Sequence, residues 1–364
     1  MLLVAQPAHC SALLDEAIPA HVRLGFSRLL QAYLDGLHVL VMPPQLCSAI
    51  ESSALFSEDE RAAARKVRSR FAEYGALADE LDIYGVLADG TATSPARVGR
   101  VWEVPLSWIA QRPLHELQLL AEDLRDIGVL VGAAEDYLHH ERFHAFRVRV
   151  AGVPGGGGNT HRVLVHLAID AQRICLCVAD SDRECPISPL GPSAAACVQI
   201  AGDGLFEVRC TQGRSMENAV PARLLDLIRP HNVPLPSALL AEVNAAKSGA
   251  GKFVNLKRGL FGHDLARLGG SACGNYWHEV CAVVGSKPAC CSGGCAAGKV
   301  GDCNYQILPG LGNATLADVS TRLIGTATDP MRRSAYLPSP ESAEWTDLGR
   351  LVFEFGLGLP PRRI

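Results

Sequence analysis

Apolar and polar positions change rhythm along this chain near residue 113. Before it, over residues 1–112, the pattern predicts a mainly helical region with one strand-like run, HVLVMP, at His38–Pro43. SEDERAAARKVRSRFAEYGALADELD, starting at Ser57, predicts a helix. Ser57 can cap it, and Glu60 three residues on completes the capping-box spacing. Its charges describe a solvated face. ADGTATSPARVGR then breaks the pattern and predicts a linker or exposed loop.

From Pro113 strands and helices alternate. LQLLAE predicts a strand, DIGVLVGAAEDYLHHE a helix and HAFRVRV a strand. The glycine run GVPGGGGNT leads into a helix at HRVLVHLAIDA, and the strand ICLCVAD follows. After a long loop come a strand at LFEVRC and a helix from Ala219. Such alternation implies an α/β fold with a mostly parallel sheet flanked by helices, and ligands at the carboxyl ends of its strands. The segments expected are 113–230 for this sheet, 231–310 for a helical and cysteine-rich extension, and 311–364 for a proline-rich tail of weak periodicity. No internal repeat is visible.

Composition changes this picture little. The 364 residues are 48% hydrophobic and 20% charged, with a formal net charge of −4. That excludes a globally basic nucleic-acid coat but leaves room for a local basic groove. No apolar run reaches the roughly 18 residues of a membrane span. The first residues lack a basic stretch before their apolar start, so no secretion signal is expected. Thiols within a strand, Cys175 and Cys177, point to a reducing, cytoplasmic setting.

The chemistry lies where the strands end. ICLCVAD finishes in Asp180-Ser181-Asp182, two carboxylates one residue apart that raise each other's pKa unless a cation compensates. LQLLAE ends in Glu122, with Asp126 four residues later, and GRSMENAVPARLL places Glu217 at a turn before a helix. Across a parallel sheet these groups would meet and hold one or two Mg²⁺ or Mn²⁺ ions. Taken singly, each has a plainer reading: a helix start for Glu122-Asp123, an Asx-turn for the Asp pair, a capping residue for Glu217.

Glu-(x)3-Asp after a strand, a glycine turn, then Asp-x-Asp after a strand resembles the TOPRIM fold. Type II topoisomerases, primases, recombination-mediator proteins and OLD-family nucleases share it. The resemblance covers roughly residues 113–225. EDLRD stands where those proteins carry a Glu-Gly-x-x-Asp-like motif, with Asp123 in place of the glycine. ENAVP is similar to a Glu-Asn element of some OLD-like defence nucleases, and KFVNLKRGL resembles their lysine-bearing segment. The resemblance implies Glu122 as metal ligand and general base, and Asp180 and Asp182 as metal ligands. It implies Asp126 and Glu217 as supports, and Lys252 or Lys257 as the group that neutralises phosphate. OLD nucleases join this domain to an ATPase, and none is visible in this chain; an ATPase or other defence-system subunit would be a separate partner.

The reading that follows is a metal-dependent nuclease acting on DNA or RNA, an effector of antiviral defence. The alternatives are a nucleotide-sugar transferase, which also uses Asp-x-Asp, and a non-catalytic TOPRIM binding platform. A transferase has no need of the Glu122–Asp126 motif. AAKSGAGKF mimics a phosphate-binding loop but fails it: Ala246 replaces the first glycine and Phe253 the metal-holding hydroxyl. VPGGGGNTHRV offers either a phosphate-binding helix start or a tight strand-to-helix turn.

A second cluster, CGNYWHEVCAVVGSKPACCSGGCAAGKVGDC, gathers Cys273, His278, Cys281, Cys290, Cys291, Cys295 and Cys303. Four of them, with Cys281, Cys290, Cys295 and Cys303 as the choice, would hold structural Zn²⁺; unligated thiols or redox chemistry are the competing readings. Gly293, Gly294 and Gly298 would let the loop wrap a metal.

Overall fold

The computed structural model describes residues 1–9, 18–88, 92, 94–170, 172–200, 205–284, 305–326 and 343–360. Two sheets organise the chain. The first joins β1 (Leu2–Val4), β2 (Val39–Val41), β3 (Tyr84–Ala88), β4 (Ala96–Val98) and β5 (Val101–Pro105) in the order β2-β1-β3-β5-β4. All its pairs are parallel except β4 with β5. The strands of the second are β6 (Leu117–Ala121), β8 (Val150–Pro154), β9 (Cys175–Ala179) and β10 (Phe206–Cys210), fully parallel in the order β10-β9-β6-β8. The short β7 (Arg147–Val148) lies outside it and pairs antiparallel with β13 (Leu357–Gly358). β11 (Gly259–Phe261) and β12 (Gln306–Pro309) form a separate antiparallel pair.

The mostly parallel sheet expected after residue 113 is present, and two of its helices fall where the pattern put them, while the third, Pro192–Ile200, lies in the stretch read as a long loop. Leu124–His140 connects β6 to β8, Thr160–Asp170 connects β8 to β9, and Pro192–Ile200 connects β9 to β10. Right-handed crossovers then place the first helix on one face and the other two on the opposite face. β9 is buried along its whole length, as a central parallel strand should be.

The N-terminal region corrects the expectation of a mainly helical module. It is rich in helix, including Ala20–Leu34 and Glu58–Ser69, but these pack around a five-stranded sheet. Strands of three residues, such as β1 and β4, carry too little alternation to read. The stretch read as a linker contains β4, which turns at Gly99 (φ +65°) into β5. HVLVMP is a strand, and the Ser57–Glu60 capping box forms as its spacing predicts. HAFRVRV does not pair as one strand: β7 and β8 divide it between two partners.

The tail has more structure than its weak periodicity suggested. Helices Thr315–Thr326 and Ala343–Phe355 both pack on Leu124–His140. Phe353 stacks on Phe143, and the Trp345 indole donates to buried Asp136 at 3.3 Å. Glu354, almost wholly buried, accepts the amides of Asp82 and Ile83 at 2.9 Å each. One helix thus fastens the second sheet's main helix to the strand entry of the first. A single apolar core runs through both sheets.

The closest approach in that packing is backbone to backbone. A β-carbon on Gly349 would stand 2.4 Å from the carbonyl oxygen of Ala133. Gly349→Leu should therefore lower the unfolding free energy by about 3 kcal/mol, the scale of overpacking a close-fitted core. Urea unfolding read by tryptophan fluorescence measures this. An unchanged midpoint would show that the two helices do not meet as described.

Candidate functional site

The strand order of the second sheet reverses between β6 and β9. The chain leaves β6 toward β8 on one side and returns to β9 on the other. That reversal opens a crevice at the carboxyl ends of the two strands, where α/β sheets bind ligands. Glu122 follows β6 directly and Asp180 follows β9 directly, so the sheet itself brings them to one edge.

Local structure then fixes each side chain. Asp123 caps the Leu124–His140 helix, accepting the Arg125 amide at 2.7 Å, while Asp126 accepts the Asp123 amide at 2.9 Å. Asp123 therefore serves as an N-cap, and Asp126 is buried as its capping-box partner. The glycine run after β8 wraps the end of β6: Gly155 donates to the Ala121 carbonyl at 2.7 Å and Gly157 to that of Glu122 at 3.1 Å. A β-carbon on Gly155 would lie 2.9 Å from the Ala121 oxygen. The run is a tight strand-to-helix turn that shapes the crevice.

The Asp-x-Asp loop is held from beneath. The hydroxyl of buried Ser181 donates to the Gly213 carbonyl and accepts the Arg183 amide at 3.2 Å, and its amide donates to Thr211 Oγ1 at 2.9 Å. Asp180 Oδ1 accepts the Met216 amide at 2.8 Å. Asp182 has φ +54°, a left-handed conformation that aspartate tolerates better than most residues, and its amide donates to the Arg214 carbonyl at 2.8 Å. A β-carbon on Gly191 would strike the Asp182 side chain, so this glycine lets the two segments touch.

Glu217 completes the set from the short helix Met216–Ala219, with only 1% of its surface exposed. The Ser215 hydroxyl donates to Glu217 Oε2 at 2.7 Å, and Lys257 Nζ lies 3.2 Å from Oε1. Lys252 turns elsewhere. Its ammonium donates to Gln212 Oε1 at 3.0 Å, so of the two lysines read from the sequence only Lys257 joins the carboxylates.

The electrostatics follow from this crowding. Burial, then Glu122 and Glu217, push the Asp126 carboxyl up to about 7. Burial, then Glu217, Asp126 and Glu122, hold Asp180 well above the usual carboxylate range. Burial raises Glu122, with Asp182 and Glu217 adding to it and Lys257 opposing. Burial also raises Asp182, against the pull of Arg214 and Lys257. Burial alone would lower the Lys257 ammonium, but Glu217, Asp180 and Asp126 outweigh it and raise its pKa. Ser215 and Arg214 were not singled out in the sequence. The serine two residues before Glu217 was the one available signal.

Among the described residues no three acidic, histidine or cysteine side chains converge closely enough, as they stand, to hold a metal ion. The donor chemistry nevertheless fits a hard divalent cation: the groups are all carboxylates, and buried Glu217 Oε1 has only the Lys257 ammonium, at 3.2 Å, beside it among the described residues. Lys257 supplies the positive charge there instead. A cleft of about 120 Å³, lined by Glu122, Asp126, Glu217 and Lys257, connects the group to solvent.

Of the cysteines proposed for zinc, Cys290, Cys295 and Cys303 lie outside the described residues, as does Cys291. Cys281 is buried on the helix Ala272–Val283. Cys273, on the same helix, forms a disulfide with Cys185, Cα atoms 5.6 Å apart. It is not a thiol for zinc. Cys175 and Cys177 are packing groups of β9; burial pushes the Cys175 thiol up to about 12.

No helix among the described residues is long and apolar enough to cross a membrane. No family model, curated protein or solved structure matches the chain.

The raised carboxyl of Asp126 has a measurable consequence. Its folded pKa of about 7 exceeds its ordinary value of 3.8, so the folded state binds the proton more tightly. Its contribution is full below about pH 4 and is lost as pH rises toward 7. In metal-free buffer, wild-type stability should fall relative to Asp126→Asn across that window, by up to about 1.4 kcal/mol per pH unit. Denaturant unfolding at half-unit pH steps reads the difference. Parallel profiles would show that Asp126 titrates normally.

Proposed function

We propose that the chain is a metal-dependent nuclease that hydrolyses phosphodiester bonds of DNA or RNA at the carboxyl ends of β6 and β9. One observation carries the reading: acidic side chains from three separate segments, Glu122 and Asp126, Asp180 and Asp182, and Glu217, lie close enough to interact electrostatically around Lys257, and three of them line the cleft with it. Buried like charges cost stability and are retained where chemistry uses them. Glu122, Asp180 and Asp182 would hold Mg²⁺ or Mn²⁺, with Asp126 and Glu217 in support. The bound cation would polarise the attacking water and neutralise charge on the phosphate.

The protein's own groups divide the remaining work. The Glu122 carboxylate has no hydrogen-bond partner among the described residues and a raised pKa, so it is suited to take a proton from water. Lys257 is held charged by its acidic neighbours and offers that charge to a phosphate oxygen. Ser181 and the Met216 amide keep the Asp180 loop in place while the charges change. The Glu122–Asp126 pairing favours hydrolysis over sugar transfer, which needs only the Asp-x-Asp. A role in antiviral defence and a separately encoded ATPase subunit belong to the same proposal; the Cys185–Cys273 disulfide does not suit the reducing, cytoplasmic setting expected from the β9 thiols.

Incubation of the full chain with plasmid DNA and with single-stranded RNA, in Mg²⁺ or Mn²⁺, tests it. Cleavage should require the cation and fall at least about 10²-fold in Asp180→Asn and in Lys257→Met, the scale on which electrostatic groups act in catalysis. Asp180→Asn should unfold no earlier than wild type without metal, because it removes a buried repulsion. Undiminished cleavage by Asp180→Asn would overturn the assignment.

A further inference from the structure

A cavity of about 520 Å³ lies between the two sheets, and none of the five clustered carboxylates lines it. Its first wall is cationic. Arg97 comes from β4, Arg100 from the turn between β4 and β5, and Arg209 from β10. A single buried carboxylate, Glu207, serves two of them: Arg97 pairs with one oxygen, and Arg209 Nε lies 2.8 Å from the other. Arg97 Nε is buried with no acceptor. Arg100 lies over the Tyr84 ring, 5.9 Å from its centroid, and has no carboxylate partner among the described residues. On this wall three guanidiniums face the cavity and share one carboxylate, Glu207, which does not line it; Arg350 and the carboxylates of Asp82, Glu344, Asp347 and Glu354 line the rest. The three guanidiniums call for an anion with several oxygens, which phosphate matches and guanidinium forks recognise.

The opposite wall comes from the helix Ala343–Phe355. Most of its acids are already engaged: Glu344 accepts the Gln212 and Gly213 amides, and Glu354 those of Asp82 and Ile83. Asp82 pairs with Arg350 at 3.2 Å. Asp347 has only the distant Gln212 amide, at 3.4 Å, and stands beside the apolar Leu348 and Leu351. This wall suits a flat, partly apolar ring bearing a hydrogen-bond donor. A volume of several hundred Å³ is the size of a small-molecule site and far exceeds a lone phosphate.

We propose that this cavity binds a mononucleotide, its phosphate on Arg97, Arg100 and Arg209, its base on Leu348 and Leu351, and a base amino group on Asp347. The site is separate from the carboxylate crevice and does not depend on the nuclease reading. Gln212 lines the cavity and precedes Gly213 and Arg214, whose carbonyls hold Ser181 and Asp182, so an occupant touches the segment that supports the Asp-x-Asp loop.

Calorimetric titration of the full chain in EDTA, with AMP, GMP, CMP, adenosine and inorganic phosphate, tests the proposal. At least one of the three nucleotides should bind at least about tenfold more tightly than both adenosine and phosphate. Arg100→Gln, which removes no ion pair, should weaken that binding about tenfold without shifting the melting temperature. Asp347→Asn should weaken it less, and Lys257→Met should leave it unchanged. No binding of any of the three at millimolar concentration would overturn the proposal. So would phosphate binding as tightly as the nucleotide, wild-type affinity in Arg100→Gln, or loss of binding in Lys257→Met.

Discussion

Repulsion among carboxylates gathered at two adjacent strand ends is the constraint around which this part of the chain is built. Glu122, Asp126, Asp180 and Asp182 all have raised pKa values with burial as the largest cause; neighbouring carboxylates add to it at Glu122, Asp126 and Asp180, whereas at Asp182 the neighbouring Arg214 and Lys257 oppose it. Lys257 offsets part of the cost at 3.2 Å from Glu217. The rest is met by amides and hydroxyls: Met216 to Asp180, Asp123 to Asp126, Ser215 to Glu217. Hydrogen bonds to a carboxylate favour its charged form, so the amides on Asp180 and Asp126 work against burial there. Lys257, with Arg214 at Asp182, balances only part of this charge, and on the proposed reading a divalent cation would complete it.

Several distant elements serve this edge. The helix Ala343–Phe355 reaches it through Glu344, which accepts the Gln212 and Gly213 amides and so steadies the loop under Ser181. The disulfide from Cys273 to Cys185 anchors the loop that follows Asp182, and the Trp277 indole donates to the Glu184 carbonyl in the same loop at 2.6 Å. Asn218 ties the Glu217 helix to the lysine-bearing segment through the carbonyls of Gly251 and Val254. The residues that carry charge are few. Those that hold them come from most of the chain.

Much of the site was legible because its signals are local. An apolar strand ending in Glu122 and another ending in Asp180-Ser181-Asp182 could be read from burial pattern and charge, and parallel pairing does the rest. The capping box at Asp123–Asp126 obeys a three-residue spacing too, yet the same letters read as metal chemistry; the structure shows Asp126 as a capping partner whose carboxyl is raised by burial and by Glu122 and Glu217. What could not be read depends on long-range contact. β1 and β4 are too short to show alternation, so the first sheet stayed hidden among its helices. Lys252 and Lys257 are equivalent by sequence, and only folding turns one toward Gln212 and the other toward Glu217. The Cys185–Cys273 pair spans 88 residues, a separation no local spacing can reveal.

The central claim is that these carboxylates form a proton-holding site which a divalent cation takes over. Calorimetric titration of EDTA-stripped protein with Mn²⁺ at pH 6, in two buffers of different ionisation enthalpy, tests it most directly. The account predicts binding accompanied by release of about one proton, because Asp126, its pKa pushed up to about 7, is mostly protonated at that pH and must ionise beside the cation. Absence of Mn²⁺ binding, or binding with the same heat in both buffers, would contradict it.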